Sequence, residues 1–186
     1  MLSSSLLFLF TVLTPALCCD WLRHYDHYSN TSLTLVRRMV GQVTHHEAPV
    51  SFPYRFYSCI RHTEVKSQLV FIRDSLSLIS DLYHHDNISS VPWETKLTHR
   101  FLIDIDSMID GLNTCVSMQK RADTRLKKYY KRLVRRTVYC TGRSSESWQT
   151  LIRETKLHLD QLQLLVSSIL HPSAAANRRR CPPHTH

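Results

Sequence analysis

The chain has 186 residues, a net charge of +9 and only three glycines. That length suits one ordinary domain with a real hydrophobic core, and so little glycine disfavours all-β folds, which need many tight turns. Of the six cysteines Cys18 and Cys19 are adjacent and the rest are widely spaced, with no C-x-x-C pair, which disfavours a zinc finger.

The first seventeen residues, MLSSSLLFLFTVLTPAL, carry no charged side chain. The apolar stretch 6–13 is too short to span a bilayer and suits the core of a secretory signal peptide. Pro15 breaks the run, and Ala16 and Cys18 put small residues three and one before a cut after Cys18. Residues 1–18 are therefore expected to be a signal peptide. The competing reading, a buried core helix, is disfavoured by the flanking serines and by Pro15. No later segment is apolar enough to span a membrane, so the product is expected to be secreted and extracellular, with no membrane insertion of the mature chain. The sequons Asn30-Thr31-Ser32 and Asn87-Ile88-Ser89 agree with that route. In an oxidising compartment Cys19, Cys59, Cys115, Cys140 and Cys181 read as two disulfides plus one spare thiol. The spare thiol is either free or a link between two chains of an otherwise monomeric protein. The positive charge favours acidic partners. Nucleic acid fits the charge but not the export signal.

Along the mature chain the apolar period is helical almost throughout. A short amphipathic run over 31–43 has Leu33, Val36 and Val40 on one face, with Asn30 or Thr31 as cap. A long connection follows, in which Pro49 and Pro53 oppose a regular helix. From Thr63, the residues Val65, Leu69, Ile72, Leu76, Ile79 and Tyr83 recur at four- and three-residue steps. Pro92-Trp93-Glu94 opens a third helix with a seam of Leu97 or Thr98, Phe101, Ile105, Ile109, Leu112 and Val116. A fourth spans 123–138, with Leu126, Tyr129, Tyr130, Leu133 and Val134 inward. Ser144 or Ser145 caps the last, whose seam is Trp148, Leu151, Thr155, Leu159, Leu162, Val166 and Ile169. Residues 171–186 form a basic tail without apolar period, expected to be disordered. The fold class is thus all-α: a bundle of about five helices over 19–170. Its long first crossover marks an up-up-down-down helical cytokine.

Several stretches resemble the type I interferons, most closely those of bony fish. They are C-D-W-L-R-H (19–24), F-P-Y (52–54), S-Q-L-V-F-I-R-D-S-L (67–76), L-N-T-C-V-S (112–117), R-L-K-K-Y-Y-K-R-L (125–133) and E-S-W (146–148) leading into I-R-E-T-K-L-H-L-D-Q-L (152–162). They fall in the family order across residues 19–170. The resemblance implies that Cys19 pairs with Cys115 and, as in the four-cysteine fish members, Cys59 with Cys140. It also implies binding to a two-chain class II helical-cytokine receptor at the cell surface, JAK–STAT signalling and an antiviral innate immune response, with no catalysis and no cofactor.

By the same resemblance, one receptor chain grips the first loop and the last helix, and the other contacts the second, third and fourth helices. Candidate contacts for the first chain are Tyr54, Arg55 and Tyr57 in the loop, and Arg153, Lys156, Leu157 and Asp160 on the last helix. Aromatics and exposed leucine beside charge are hot-spot types. Aromatic packing of the loop onto the bundle explains Tyr54, Arg55 and Tyr57 equally well, and padding of the wide apolar side of a bundle helix does the same for Leu157 and for Leu164, which also falls off the seam. The fourth helix carries a basic patch of Arg125, Lys128, Lys131, Arg132 and Arg135. It reads either as a solvated face or as attraction to an acidic receptor surface or heparan-like glycans. The histidine pairs 24/27, 45/46 and 84/85 lack an evident third ligand, so no metal is expected. No G-x-S-x-G, H-E-x-x-H or phosphate-loop motif occurs. The rival readings are another helical cytokine of the interleukin-10 type and a cationic host-defence protein acting on membranes through the fourth helix.

Overall fold

The computed structural model describes residues 19–40, 48–84, 91–116 and 123–171. The expected signal peptide, the sequon at Asn87 and the tail with Cys181 lie outside them. The described residues form six α-helices and no strand. These are α1 (Leu22–Met39), α2 (Tyr54–Ile60), α3 (Val65–His84), α4 (Thr95–Cys115), α5 (Thr124–Val134) and α6 (Ser145–Leu170). A π turn, Arg135–Tyr139, extends α5. The expected all-α bundle is present, with one helix more than the periodicity showed.

Two boundaries differ from expectation. Helix α1 begins nine residues before Thr31, so Asn30 is mid-helix and caps nothing. Its early inward positions are Leu22, Tyr25, Ser29 and Ser32. They recur at three- and four-residue steps, but only Leu22 is plainly apolar, which hides the period. Helix α2 follows directly on Pro53. Proline restrains the residues before it and is well tolerated at a helix start, so Pro53 ends the extended stretch and leaves the next turn free to coil.

Helix α1 packs mainly on α4 and α6, and α4 packs also on α3. The core between them includes Ile72, Leu76, Ile79, Phe101, Ile105, Met108, Trp148, Leu151, Leu159 and Val166, all fully buried. Each such side chain contributes about 1.5–3 kcal/mol through burial. The caps are polar and local. The Asp123 side chain accepts from the Arg125 amide at 2.7 Å, and Ser144 Oγ from the Ser147 amide at 3.3 Å. Between α5 and α6 the chain reverses through Gly142, whose φ of 69° suits a residue with no Cβ.

The N-terminus is strapped to α4. Cys19 and Cys115 form a disulfide with their Cα atoms 5.1 Å apart and a sequence separation of 96. One turn back along α4, Gly111 lets the Trp21 indole lie directly on the helix. A Cβ built there would fall 1.8 Å from Trp21 Cε2. Tyr28 stacks on the same indole at 6.1 Å.

The second expected bond, Cys59 to Cys140, is not formed. Cys59 is a half-buried free thiol and Cys140 an exposed one. The geometry of α2 gives a reason. Its face toward the bundle is set by Tyr57, and a residue two positions on points about 200° round the helix. Cys140 sits at the open end of the π turn, where its amide donates to the Arg135 carbonyl.

Candidate functional site

The site is built from α2, α6 and the buried contact that joins them. On α6 the residues Trp148, Leu151, Thr155, His158, Leu162, Val166 and Ile169 are buried at alternating steps, so one stripe of the helix is spent on the core. His158 belongs to this stripe, a position that hydrophobic spacing alone passed over. The signal was its place three residues after Thr155 and four before Leu162.

His158 is fully buried in an aromatic cage. Phe52 lies 4.6 Å and Tyr130 4.8 Å from its ring, centroid to centroid. Its Nδ1 shares a 2.6 Å hydrogen bond with Tyr57 Oη, and its Nε2 lies 3.3 Å from Tyr129 Oη. A ring shut away from water is neutral, and burial drops the His158 pKa to about 3. Burial pushes the Tyr57 hydroxyl well above its ordinary value. The adjacent pair Tyr129-Tyr130 therefore works inward, holding the crossover helix to α6 through one histidine.

That arrangement corrects one candidate. Tyr57 is 4 % exposed and cannot be a surface contact. It is the peg that seats α2. Tyr54, by contrast, is 60 % exposed, and Arg55 is also exposed. On α6, Leu157 is 37 % and Leu164 51 % exposed. Because α2 seats on His158, the outward residues of α2 and the neighbouring Leu157 belong to one region of the surface.

The polar candidates on α6 are half-exposed and held in place. Lys156 Nζ donates to Asp160 Oδ2 at 2.7 Å. Arg153 lies along its own helix, its Nε donating to the Gln149 carbonyl and its Nη2 to Thr150 Oγ1, both at 3.2 Å. Gln149 Nε2 in turn donates to the Met39 carbonyl at 3.2 Å. The result is apolar points in a frame of fixed charge, the composition of a protein-docking rim and core.

The remaining candidates fall elsewhere. Arg125, Lys128, Lys131, Arg132 and Arg135 are all exposed on α5 and the π turn. Asn30 is exposed on α1, its Oδ1 accepting from Gln163 Nε2 at 3.3 Å, while Ser32 of the same sequon is fully buried. Sequence reasoning missed Ile103, 54 % exposed beside an open cleft between α3 and α4 that Tyr83, His99 and Leu102 also line. Among the described residues no group of three or more histidine, cysteine or acidic side chains is placed to hold a metal. Likewise none of the described helices is long and apolar enough to cross a membrane.

The chain matches no protein-family profile. It is 33% identical to interferon a3 of Oncorhynchus mykiss over 153 residues, which cover 82% of this chain and 87% of the relative. In structure it resembles zebrafish interferon 1 with a TM-score of 0.70, at 23% identity, over 81% of this chain and 99% of the other. That likeness bears on the fold, which it shares with a helical cytokine. The identity to the trout protein, spread over nearly the whole of both chains, bears on the family, and with it on a secreted cytokine rather than an enzyme: the chain belongs to the type I interferons of bony fish.

Proposed function

We infer that the protein acts by joining the two chains of a class II helical-cytokine receptor, so that JAK–STAT signalling and an antiviral state follow in the target cell. The observation that carries the reading is the patch around α2 and the middle of α6, where Tyr54 and Leu157 stand exposed although the bundle core beneath them is closed. Arg55, Arg153, Lys156 and Asp160 frame them. Exposed apolar anchors inside a polar rim are where binding energy concentrates.

The same reading has the chain exported by residues 1–18 and released with Cys19 at its N-terminus. Asn30 and Asn87 are its acceptor sites for glycan, and the protein is a monomer unless Cys181 links two copies.

The test treats fish cells carrying the matched receptors with the purified mature protein, and reads receptor-dependent induction of antiviral genes and virus yield. Leu157→Asp is expected to weaken the response tenfold or more, the effect of losing about 1.4 kcal/mol or more at a hot spot. No response from the parent protein in such cells would sink the reading. Full activity of both Leu157→Asp and Tyr54→Ala would move the docking face elsewhere.

A further inference from the structure

The docking patch around α2 and α6 makes no use of the most charged surface of the molecule. Between positions 125 and 136 the chain carries seven lysines and arginines and no acid. The net charge is +9, so the rest of the chain contributes only +2. The charge is a local feature and not a general aid to solubility.

The structure adds the geometry. Leu126, Tyr129, Tyr130 and Leu133 turn inward and Val134 is half-buried, so from Arg125 to Arg136 every exposed residue is a cation. The strip is about 16 Å long at 1.5 Å per residue. Lys127, on one edge, lies near Asp74, whose carboxyl pKa is raised by burial against the opposing pull of the Arg73 and Lys127 charges. Lys128, Lys131, Arg132, Arg135 and Arg136 make no ion pair among the described residues. Positions 128 and 131, 128 and 132, 131 and 135, and 132 and 136 are three or four apart, so like charges stand side by side along the helix. Such pairs destabilise a helix. A sequence concerned only with folding would interleave acids here, as α6 does with Lys156 and Asp160.

Three kinds of anionic partner differ in what else they need. A bilayer surface takes an amphipathic helix by its apolar face, but the apolar face of α5 is spent on the core. A folded protein partner needs an apolar centre to its interface; between 125 and 136 no apolar residue is exposed, and Tyr139, exposed at the far end of the π turn, lies at the strip's margin with its ring faced by the Arg143 guanidinium. A linear polyanion needs only regularly spaced cations along its length, with affinity from released counterions. We propose that the outer face of α5 and the π turn is a binding strip for a sulfated polysaccharide of the heparan type, which would hold the secreted cytokine near the cells that release it. The proposal is independent of the receptor reading.

The test uses the full mature chain and immobilised heparin, with a triple substitution Lys128→Ala/Lys131→Ala/Arg132→Ala and a charge-matched control, Arg37→Ala/Arg38→Ala/Lys66→Ala, at exposed sites elsewhere. The strip variant is expected to elute at clearly lower salt, with the slope of log affinity against log salt reduced by about two, as three contacts to a flexible polyanion are lost. The control should keep the parent slope. Lysine acetylation gives a readout without substitution: heparin should protect Lys128 and Lys131 severalfold and leave Lys66 and Lys96 reactive. Equal loss in both triple variants would overturn the proposal, as would unprotected Lys128 and Lys131. Binding to phosphatidylserine vesicles as tight as to heparin would replace the glycan with a membrane. Unchanged heparin binding with lost signalling in the strip variant would assign the strip to an acidic receptor face.

Discussion

At the scale of single residues, His158 has the most consequences. In an unfolded chain its imidazole titrates near 6.5, whereas in the folded protein burial holds the value at about 3. Between those two values the unfolded state binds more protons, so stability rises with pH across this window and falls on acidification. The loss is at most about 1.4 kcal/mol per pH unit for one group. Asp74 and Glu154 work the other way. Burial raises both, so acidification through their folded values adds stability and offsets part of the loss. The histidine is therefore best read between pH 6.5 and 5, above most of the carboxylate range. Urea midpoints across that interval should fall with pH for the parent and stay flatter for His158→Gln. Parallel curves for the two proteins would show that the ring is not held neutral. The residue was hard to find in the sequence for a physical reason. Histidine scores as polar, and only the facing hydroxyls of Tyr57 and Tyr129, 101 and 29 residues away in sequence, make its burial tolerable.

At the scale of elements, α3, α4 and α6 were legible because their inward positions are aliphatic or aromatic at steps of three and four. The start of α1 was not, because its seat on α4 depends on a residue with no side chain. Gly111 looks like a defect in a helix interior, where glycine costs about 1 kcal/mol against alanine. Its reason lies in Trp21, ninety residues earlier in the chain, whose indole fills the place a Cβ would take. Two effects then compete in Gly111→Ala. Better helix propensity favours the variant by up to about 1 kcal/mol, while overpacking against a rigid ring costs about 1–3 kcal/mol. The clash is deep and the ring is tethered close to the Cys19 bond, so overpacking should win. The variant is expected to be less stable than the parent by about 1 kcal/mol in chemical denaturation. Trp21→Ala should remove the conflict, so that adding Gly111→Ala to it stabilises. A double variant no better than Trp21→Ala alone would mean that the indole does not set the glycine.

At the scale of the whole molecule, the question is how a long chain with little glycine and a wide crossover holds its first helix in place. The strap from Cys19 to Cys115 closes a loop of 96 residues' separation that contains α1 to α4. In the chain-entropy account, closing a loop of that size removes about 4.7 kcal/mol from the unfolded state's advantage. Domains of ordinary size are stable by only about 5–15 kcal/mol, so this single bond is a large share of the total. The pairing was legible through family resemblance and not through spacing, since five cysteines allow many partners. The pairing of Cys59 with Cys140, implied by the same resemblance, is not formed, because a shared cysteine count says nothing about which way two side chains point. Two measurements follow. Cys19→Ser/Cys115→Ser should lower unfolding free energy by about 2–5 kcal/mol, and removing both thiols at once keeps either from seeking Cys59 or Cys140. Alkylation of the native, unreduced protein should label Cys140 fast and Cys59 slowly, following their exposure. A double variant within about 1 kcal/mol of the parent would show that α1 is held by packing, with Trp21 on Gly111 as its main anchor. Finding Cys59 and Cys140 resistant to alkylation until reduction would restore the second bond and require α2 to turn its far face toward the end of α5.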